Sequence, residues 1–283
     1  MYARVGNPTG YIISCFESSI QRNSVKRMRP MSTEENFMRV ESLLTSEGKR
    51  RGLKSVMGVA SFAAVYKTLM PVQKEKLIEI SGEVFDCLMK DGSVISIAYA
   101  YPEYAIEAIG WGSEKAWDKD RWNIYARAYT RLNRSLNEAA AVIAEEIKGI
   151  AIPATVEGLA SKTNHVEEYY AQRISHRVTA ELSGIGWRGK NELIVNPRFS
   201  CAIRLASILT TIPITRTSPI ADGCGECRAC LNVCKFLDHK NQLDNYREQC
   251  RRYLVYLNLE DEVCGKCIKS CYKNSLYAGK FKL

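Results

Sequence analysis

The 283 residues suffice for one large hydrophobic core, or for a core with a small appendage. A composition of 46% apolar and 25% charged residues excludes a wholly disordered or collagen-like chain, and no run of about 18 uninterrupted apolar residues reads as a membrane span. Basic residues outnumber acidic ones by 40 to 31, but the excess is concentrated in residues 1–31 and 214–283, so ordinary solubility explains it as well as a nucleic-acid footprint does. No apolar leader with a small-residue cleavage site opens the chain. The expectation is a cytoplasmic protein with no membrane partner.

Residues 1–31 mix Gly, Pro, Ser and Asn and end in the basic run Lys26-Arg27-Met28-Arg29. They read as a peripheral or disordered extension, with a nucleic-acid-binding arm as the alternative. Ser32 followed three residues later by Glu35 fits a capping box, with Thr33 as the other candidate cap. A helix is predicted from there through Phe37, Val40, Leu43 and Leu44 to Gly52. A strand over Ser55–Phe62, a helix over Leu77–Met89 and a buried strand over Val94–Tyr99 follow. The longest helical signal is Trp122–Lys148, where Tyr125, Tyr129, Leu132, Leu136, Ala139, Ile143 and Ile147 recur at steps of three and four. Next come a strand at Ile150–Pro153, a helix at Glu168–Leu182, the glycine-rich segment Gly184–Asn191, and strands at Leu193–Val195 and Ala202–Thr211. Pro213 and Pro219 mark a boundary. The predicted division is residues 1–31 as the extension, 32–213 as an α/β body, and 214–283 as a cysteine-rich domain.

Eight of the 11 cysteines fall between residues 224 and 271. In a chain without a leader, such density points to metal rather than disulfides. The first run is Cys224-x2-Cys227-x2-Cys230-x3-Cys234, and the second group is Cys250, then Cys264-x2-Cys267-x3-Cys271. Zinc would need four ligands in two CxxC-like pairs; three cysteines at steps of three with a fourth four residues on match the [4Fe–4S] run of bacterial ferredoxins. A tight loop wraps three thiolates round one cubane, and the fourth reaches the neighbouring cluster. One cluster is therefore assigned Cys224, Cys227, Cys230 and Cys271, the other Cys264, Cys267, Cys234 and Cys250. Cys15, Cys87 and Cys201 read as incidental thiols, and His165, His176 and His239 show no metal-ligand spacing. Two clusters form a path for single electrons, and 182 preceding residues exceed what a ferredoxin needs, so a redox site in the body is expected.

The stretch Arg177–Asn191 with its GIGWRGKN, then Asn196-Pro197-Arg198-Phe199, then the eight cysteines, resembles the epoxyqueuosine reductase family, which is related to the cobalamin-dependent reductive dehalogenases. The match is convincing over about residues 170–271 and weaker back to Ser32. It implies an α/β (α+β) nitroreductase-like domain for base-off cobalamin, followed by a ferredoxin-like double [4Fe–4S] module. The implied cofactor-binding residues are Arg177, Gly184, Gly186, Trp187, Gly189, Lys190 and Asn191. The family's acidic proton donor falls on Tyr170, as in the dehalogenases, where a tyrosine donates the proton; Glu167, Glu168 and Tyr169 are adjacent rivals. A phenol can serve so when a nearby cation favours its ionised form. The implied partners are a low-potential donor of ferredoxin or flavodoxin type and either a small organic substrate or epoxyqueuosine in tRNA. The resemblance is to a short form without the C-terminal helical-repeat extension. The other readings are an electron-transfer protein whose body docks a partner, and a flavin-bearing reductase.

Overall fold

The computed structural model describes residues 29–111, 118–154, 159–171, 174–221 and 223–274. The extension expected over residues 1–31 lies outside them, apart from its last three residues. The chain divides into two units, Met1–Met31 and Ser32–Leu283, and every element below belongs to the second.

Helix α1 (Thr33–Arg51) begins on the capping box its sequence spells. Ser32 Oγ accepts from the Glu35 N–H at 3.1 Å, and the Glu35 carboxylate accepts from the Ser32 N–H at 2.7 Å. Gly52 ends the helix in the left-handed region, its N–H turned back to the carbonyls of Gly48 and Lys49. In chain order there follow β1 (Ser55–Ser61), α2 (Phe62–Thr68), α3 (Pro71–Ser81), α4 (Phe85–Asp91), β2 (Ser93–Ala100), α5 (Glu103–Glu107), α6 (Lys119–Glu146), β3 (Ile150–Ile152), α7 (Val166–Ala171), α8 (His176–Leu182), β4 (Trp187–Arg188), β5 (Ile194–Val195) and β6 (Ile203–Thr210).

Two predicted helices are each divided. The run expected over Leu77–Met89 is α3 and α4 with a 3₁₀ turn at Gly82–Val84 between them, because Gly82 adopts φ 51 and leaves the α-helical path. The helix expected over Glu168–Leu182 is α7 and α8, with Ser175 extended before α8.

The main sheet has the order β1-β2-β6-β3, and each pairing is antiparallel. Strand β2 is buried along its whole length, and its side chains alternate between two layers. Ile95, Ile97 and Tyr99 meet α1 and α6 through Val40, Leu44, Leu132, Leu136 and Ile143. Val94 meets the opposite layer of α2, α3, α4 and α8 through Phe62, Leu77, Leu88 and Val178. Burying each such large side chain contributes roughly 1.5–3 kcal/mol, which is why the tyrosine-rich first half of α6 is core.

After β6 the chain forms α9 (Ala229–Asn232), α10 (Lys235–Asp238), α11 (Tyr246–Leu257) and α12 (Lys266–Asn274). These short helices close on the start of α6. The Trp122 indole N–H donates to the Cys264 carbonyl at 2.8 Å. Gly265 sits at φ 78, where a Cβ would fall 2.8 Å from the Tyr125 ring, so both the conformation and the approach require glycine. The buried Lys269 ammonium donates to the carbonyls of Glu107, the last residue of α5, and Ile109 just after it. Among the described residues, no helix is long and apolar enough to cross a membrane.

Candidate functional site

The cysteine runs fold into two neighbouring groups. Cys224, Cys227, Cys230 and Cys271 line one cavity with about 390 Å³ of empty space. The Cys230 thiol is pushed up to about 11 by burial and by the adjacent sulfurs of Cys271, Cys224 and Cys227. Cys267 is raised by burial and then by Cys264, Cys250 and Cys234, with Cys230 of the other group more weakly felt. Cys250, exposed at its own surface yet surrounded by protein at longer range, is pushed up to about 12 by desolvation and by Cys264 and Cys234. Thiols crowded in this way need positive charge before they ionise, and a bound metal supplies it. Among the described residues, no three His, Cys, Asp or Glu side chains converge as a single-ion site. A tetrahedral zinc would hold its sulfurs about 3.8 Å apart; a cubane, with one iron at each binding corner, spreads its thiolates more widely.

The glycine-rich segment wraps the first cavity. Trp187, Gly189, Lys190 and Asn191 all line it. The Trp187 indole N–H donates to Cys224 Sγ at 3.3 Å, and Ser200 Oγ donates to Cys271 Sγ at 3.0 Å. Lys190 Nζ donates to the Gly225 carbonyl at 2.6 Å, tying the segment to the first cysteine loop. Gly184, at φ 67, has the Ser218 carbonyl 2.1 Å from where its Cβ would be, and Gly186 meets the Val195 carbonyl in the same way. At those two positions glycine makes room for the protein's own backbone.

A second concavity lies beside the first, a cleft with about 980 Å³ of empty space. Gln73, Tyr169, Tyr170, Ser175, His176, Arg177 and Arg204 are among its polar lining; Ile174, Ile203 and Leu205 are among its aliphatic walls. Of the residues implied as cofactor-binding, Arg177 alone lines this cleft. Cys201, Leu193 and Ile268 also line it, and Cys201 is hydrogen-bonded to Cys271 of the thiol cavity. The hydrogen bond from Cys201, together with that from Ser200, holds the Cys271 thiol below its ordinary value against burial. One layer of side chains thus separates cavity from cleft. His176 is held at both ring nitrogens, Nδ1 by Ser207 Oγ at 2.9 Å and Nε2 by the Pro153 carbonyl at 2.8 Å. The carbonyl can only accept, so Nε2 carries the proton.

Tyr170 is half-buried, and its hydroxyl accepts from Arg247 Nη1 at 3.1 Å. Burial opposes the Arg247 charge, but hydrogen bonds to Tyr170 and Tyr246 outweigh it and raise its pKa. Arg247 comes from α11, which also carries Cys250. The same helix grips the segment that bears the tyrosine. Glu248 accepts from the Val166 N–H at 3.0 Å, and Arg251 donates to the carbonyls of Ala160, Thr163 and Asn164 at 2.6–2.9 Å. Of the rivals to Tyr170, Glu167 is bound to Asn245 and Glu168 to the Asn164 N–H, so both carboxylates are turned to structural partners.

Three residues of the site carried no local signal in the sequence: Cys201, Arg204 and Arg247. Each stands outside any recognisable spacing, and only the sheet and α11 bring them to the cleft.

No protein-family profile matches the chain. Curated proteins similar to it include the epoxyqueuosine reductase of Staphylococcus aureus, 26% identical over 202 residues that cover 64% of this chain and 48% of that protein. The epoxyqueuosine reductase of Listeria monocytogenes is 30% identical over 148 residues, covering 50% and 34%. The chain spans about half the length of the curated relatives it matches. Among solved structures, a reductive dehalogenase described in terms of B12-dependent dehalogenation aligns with a TM-score of 0.55 over 86% of this chain and 32% of its own, at 15% identity. A second, the catabolic reductive dehalogenase NpRdhA, gives 0.56 over 88% and 33%. The mixed α/β fold is shared with these dehalogenases.

Proposed function

We propose, from the premise that this chain is a relative of the epoxyqueuosine reductases with a dehalogenase-like fold, that it is an iron–sulfur oxidoreductase reducing an organic substrate beside Tyr170. Residues 32–213 are read as the body that holds the substrate and a corrinoid, and residues 214–283 as a ferredoxin-like module. Cys224, Cys227, Cys230 and Cys271 would hold one [4Fe–4S] cluster, and Cys234, Cys250, Cys264 and Cys267 the other. The cleft suits a corrinoid: aliphatic walls can carry a flat macrocycle, Arg177 can meet its amide arms, and His176, engaged at both nitrogens, would not be available as a metal ligand. When bound, these groups would supply electrons drawn from a ferredoxin- or flavodoxin-type donor.

The chain's own part is proton delivery and positioning. Tyr170 faces the cleft and would donate the proton that reduction requires; the charge left on its oxygen would be met by the Arg247 guanidinium already bonded to it. Candidate substrates are epoxyqueuosine in tRNA, after the relatives' name, and a small organic molecule.

The observation that carries this reading is the packing between the two: Cys201, Leu193 and Ile268, which line the cleft that holds Tyr170, pack in one cluster with Trp187, Cys224 and Cys271 of the thiol-lined cavity. Iron, sulfide and cobalt analysis of anaerobically isolated protein tests it. About eight irons per chain are expected, with signals of reduced cubanes in electron paramagnetic resonance. Zinc, or no more than four irons, would overturn it.

A further inference from the structure

The cleft beside Tyr170 has an unbalanced charge. Among the described residues that line it there are two arginines, Arg177 and Arg204, and no Asp or Glu. Arg177 donates Nη1 to the Glu192 carbonyl at 2.7 Å, a neutral acceptor. Burial, with Arg247 and Arg188 nearby, works against its charge. Arg204 projects from the central strand β6. Its Nε donates to Asn133 Oδ1 at 2.9 Å, and its guanidinium lies 4.3 Å from the centre of the Tyr129 ring. That face contact and that single hydrogen bond fix the plane of the group. Its two terminal nitrogens have no hydrogen-bond acceptor among the described residues.

A guanidinium held in a fixed plane, half-buried and without an acceptor at its terminal nitrogens among the described residues, is a fork that oxyanions bind in bidentate fashion. An ordinary surface arginine would find water or a carboxylate. Arg204 instead uses its one protein hydrogen bond for orientation; Tyr129, Tyr101, Tyr125 and Tyr169 around it favour its charge, and no Asp or Glu among the described lining residues neutralises it.

We propose that this cleft selects an anionic substrate, whose carboxylate or phosphate group seats on the terminal edge of Arg204 with Arg177 lending positive potential. The inference rests on reading the cleft as the substrate site and names the substrate class for it. A neutral analogue of the same shape would leave Arg204 without an acceptor and bind poorly. The oxyanion can come from a small carboxylate or from a phosphate of nucleic acid.

Calorimetric titration of the full chain, isolated anaerobically with its iron content measured, tests the assignment. The probes are benzoate, inorganic phosphate and the neutral benzamide. Benzoate or phosphate is expected to bind at least about tenfold more tightly than benzamide, and Arg204→Gln to remove about tenfold or more of that affinity, with Arg204→Lys recovering part of it. Benzoate tighter than phosphate assigns a carboxylate substrate; phosphate tighter, and displaced by an RNA stem–loop, assigns a nucleic-acid phosphate. Anions and benzamide binding alike, or none binding, would overturn the proposal. So would competition between benzoate and added hydroxocobalamin, which would give the anion site to the cofactor. Should Arg204→Gln fail to fold, the benzoate–benzamide contrast in the unaltered protein decides alone. Failure of the reductase reading would be visible separately, in the iron and cobalt content of the same sample.

Discussion

The thiol cavity and the tyrosine–arginine cleft share a wall but are assembled in opposite ways. The cavity takes three of its four sulfurs from a single loop, Cys224 to Cys230, and its cover from one contiguous segment, Trp187 to Asn191. The cleft draws on residues from Gln73 to Ile268, spread over α3, α7, α8, β5, β6 and α12. Local spacing builds the first. Long-range packing builds the second, and α11 ties the other cysteine group to it by carrying both Cys250 and Arg247, which is bonded to Tyr170.

The sharpest way to break this contrast is at the joint. Cys250→Ala removes the thiol that the shortened second run lacks, and iron should fall from about eight to about four per chain. An unchanged iron content would refute the division of ligands. Tyr170→Phe acts on the cleft alone. Turnover with a reduced donor should drop by about a hundredfold, while the iron count and cluster spectra stay as they were; unaltered turnover would remove Tyr170 from the mechanism. Arg251→Ala tests the grip between the two regions. It deletes charged hydrogen bonds to three carbonyls of the tyrosine-bearing segment, and stability measured by denaturant unfolding should fall by about 2 kcal/mol. A loss within a few tenths of a kcal/mol would mean that packing, not Arg251, holds that segment in place.

Much of the frame was legible before any coordinates. The capping box at Ser32 and Glu35 and the αL stop at Gly52 are local codes, and α1 begins and ends on them. The steps of three and four from Tyr125 to Ile143 mark the buried face of α6. The breaks in the other helices were harder to see. The apolar pattern of Leu77–Met89 continues across Gly82, and only the φ adopted there splits it. The resemblance implies that the glycine-rich segment binds a cofactor; that Gly184 and Gly186 accommodate the backbone of Ser218 and Val195 was not legible, because a motif states which backbone conformations are allowed but not what occupies the space they create.

The amino-acid order alone determined what depends on near neighbours: helix caps, the apolar stripe of the long helix, and cysteines spaced so that a short loop can turn several sulfurs inward. Tertiary structure decided what depends on distant ones. It set Cys201 against Cys271, laid Arg247 on Tyr170, and placed Arg204 in the lining of the cleft. Spacing along the chain sets only those meetings that a few backbone dihedrals can make; the rest wait for the sheet and helices to pack.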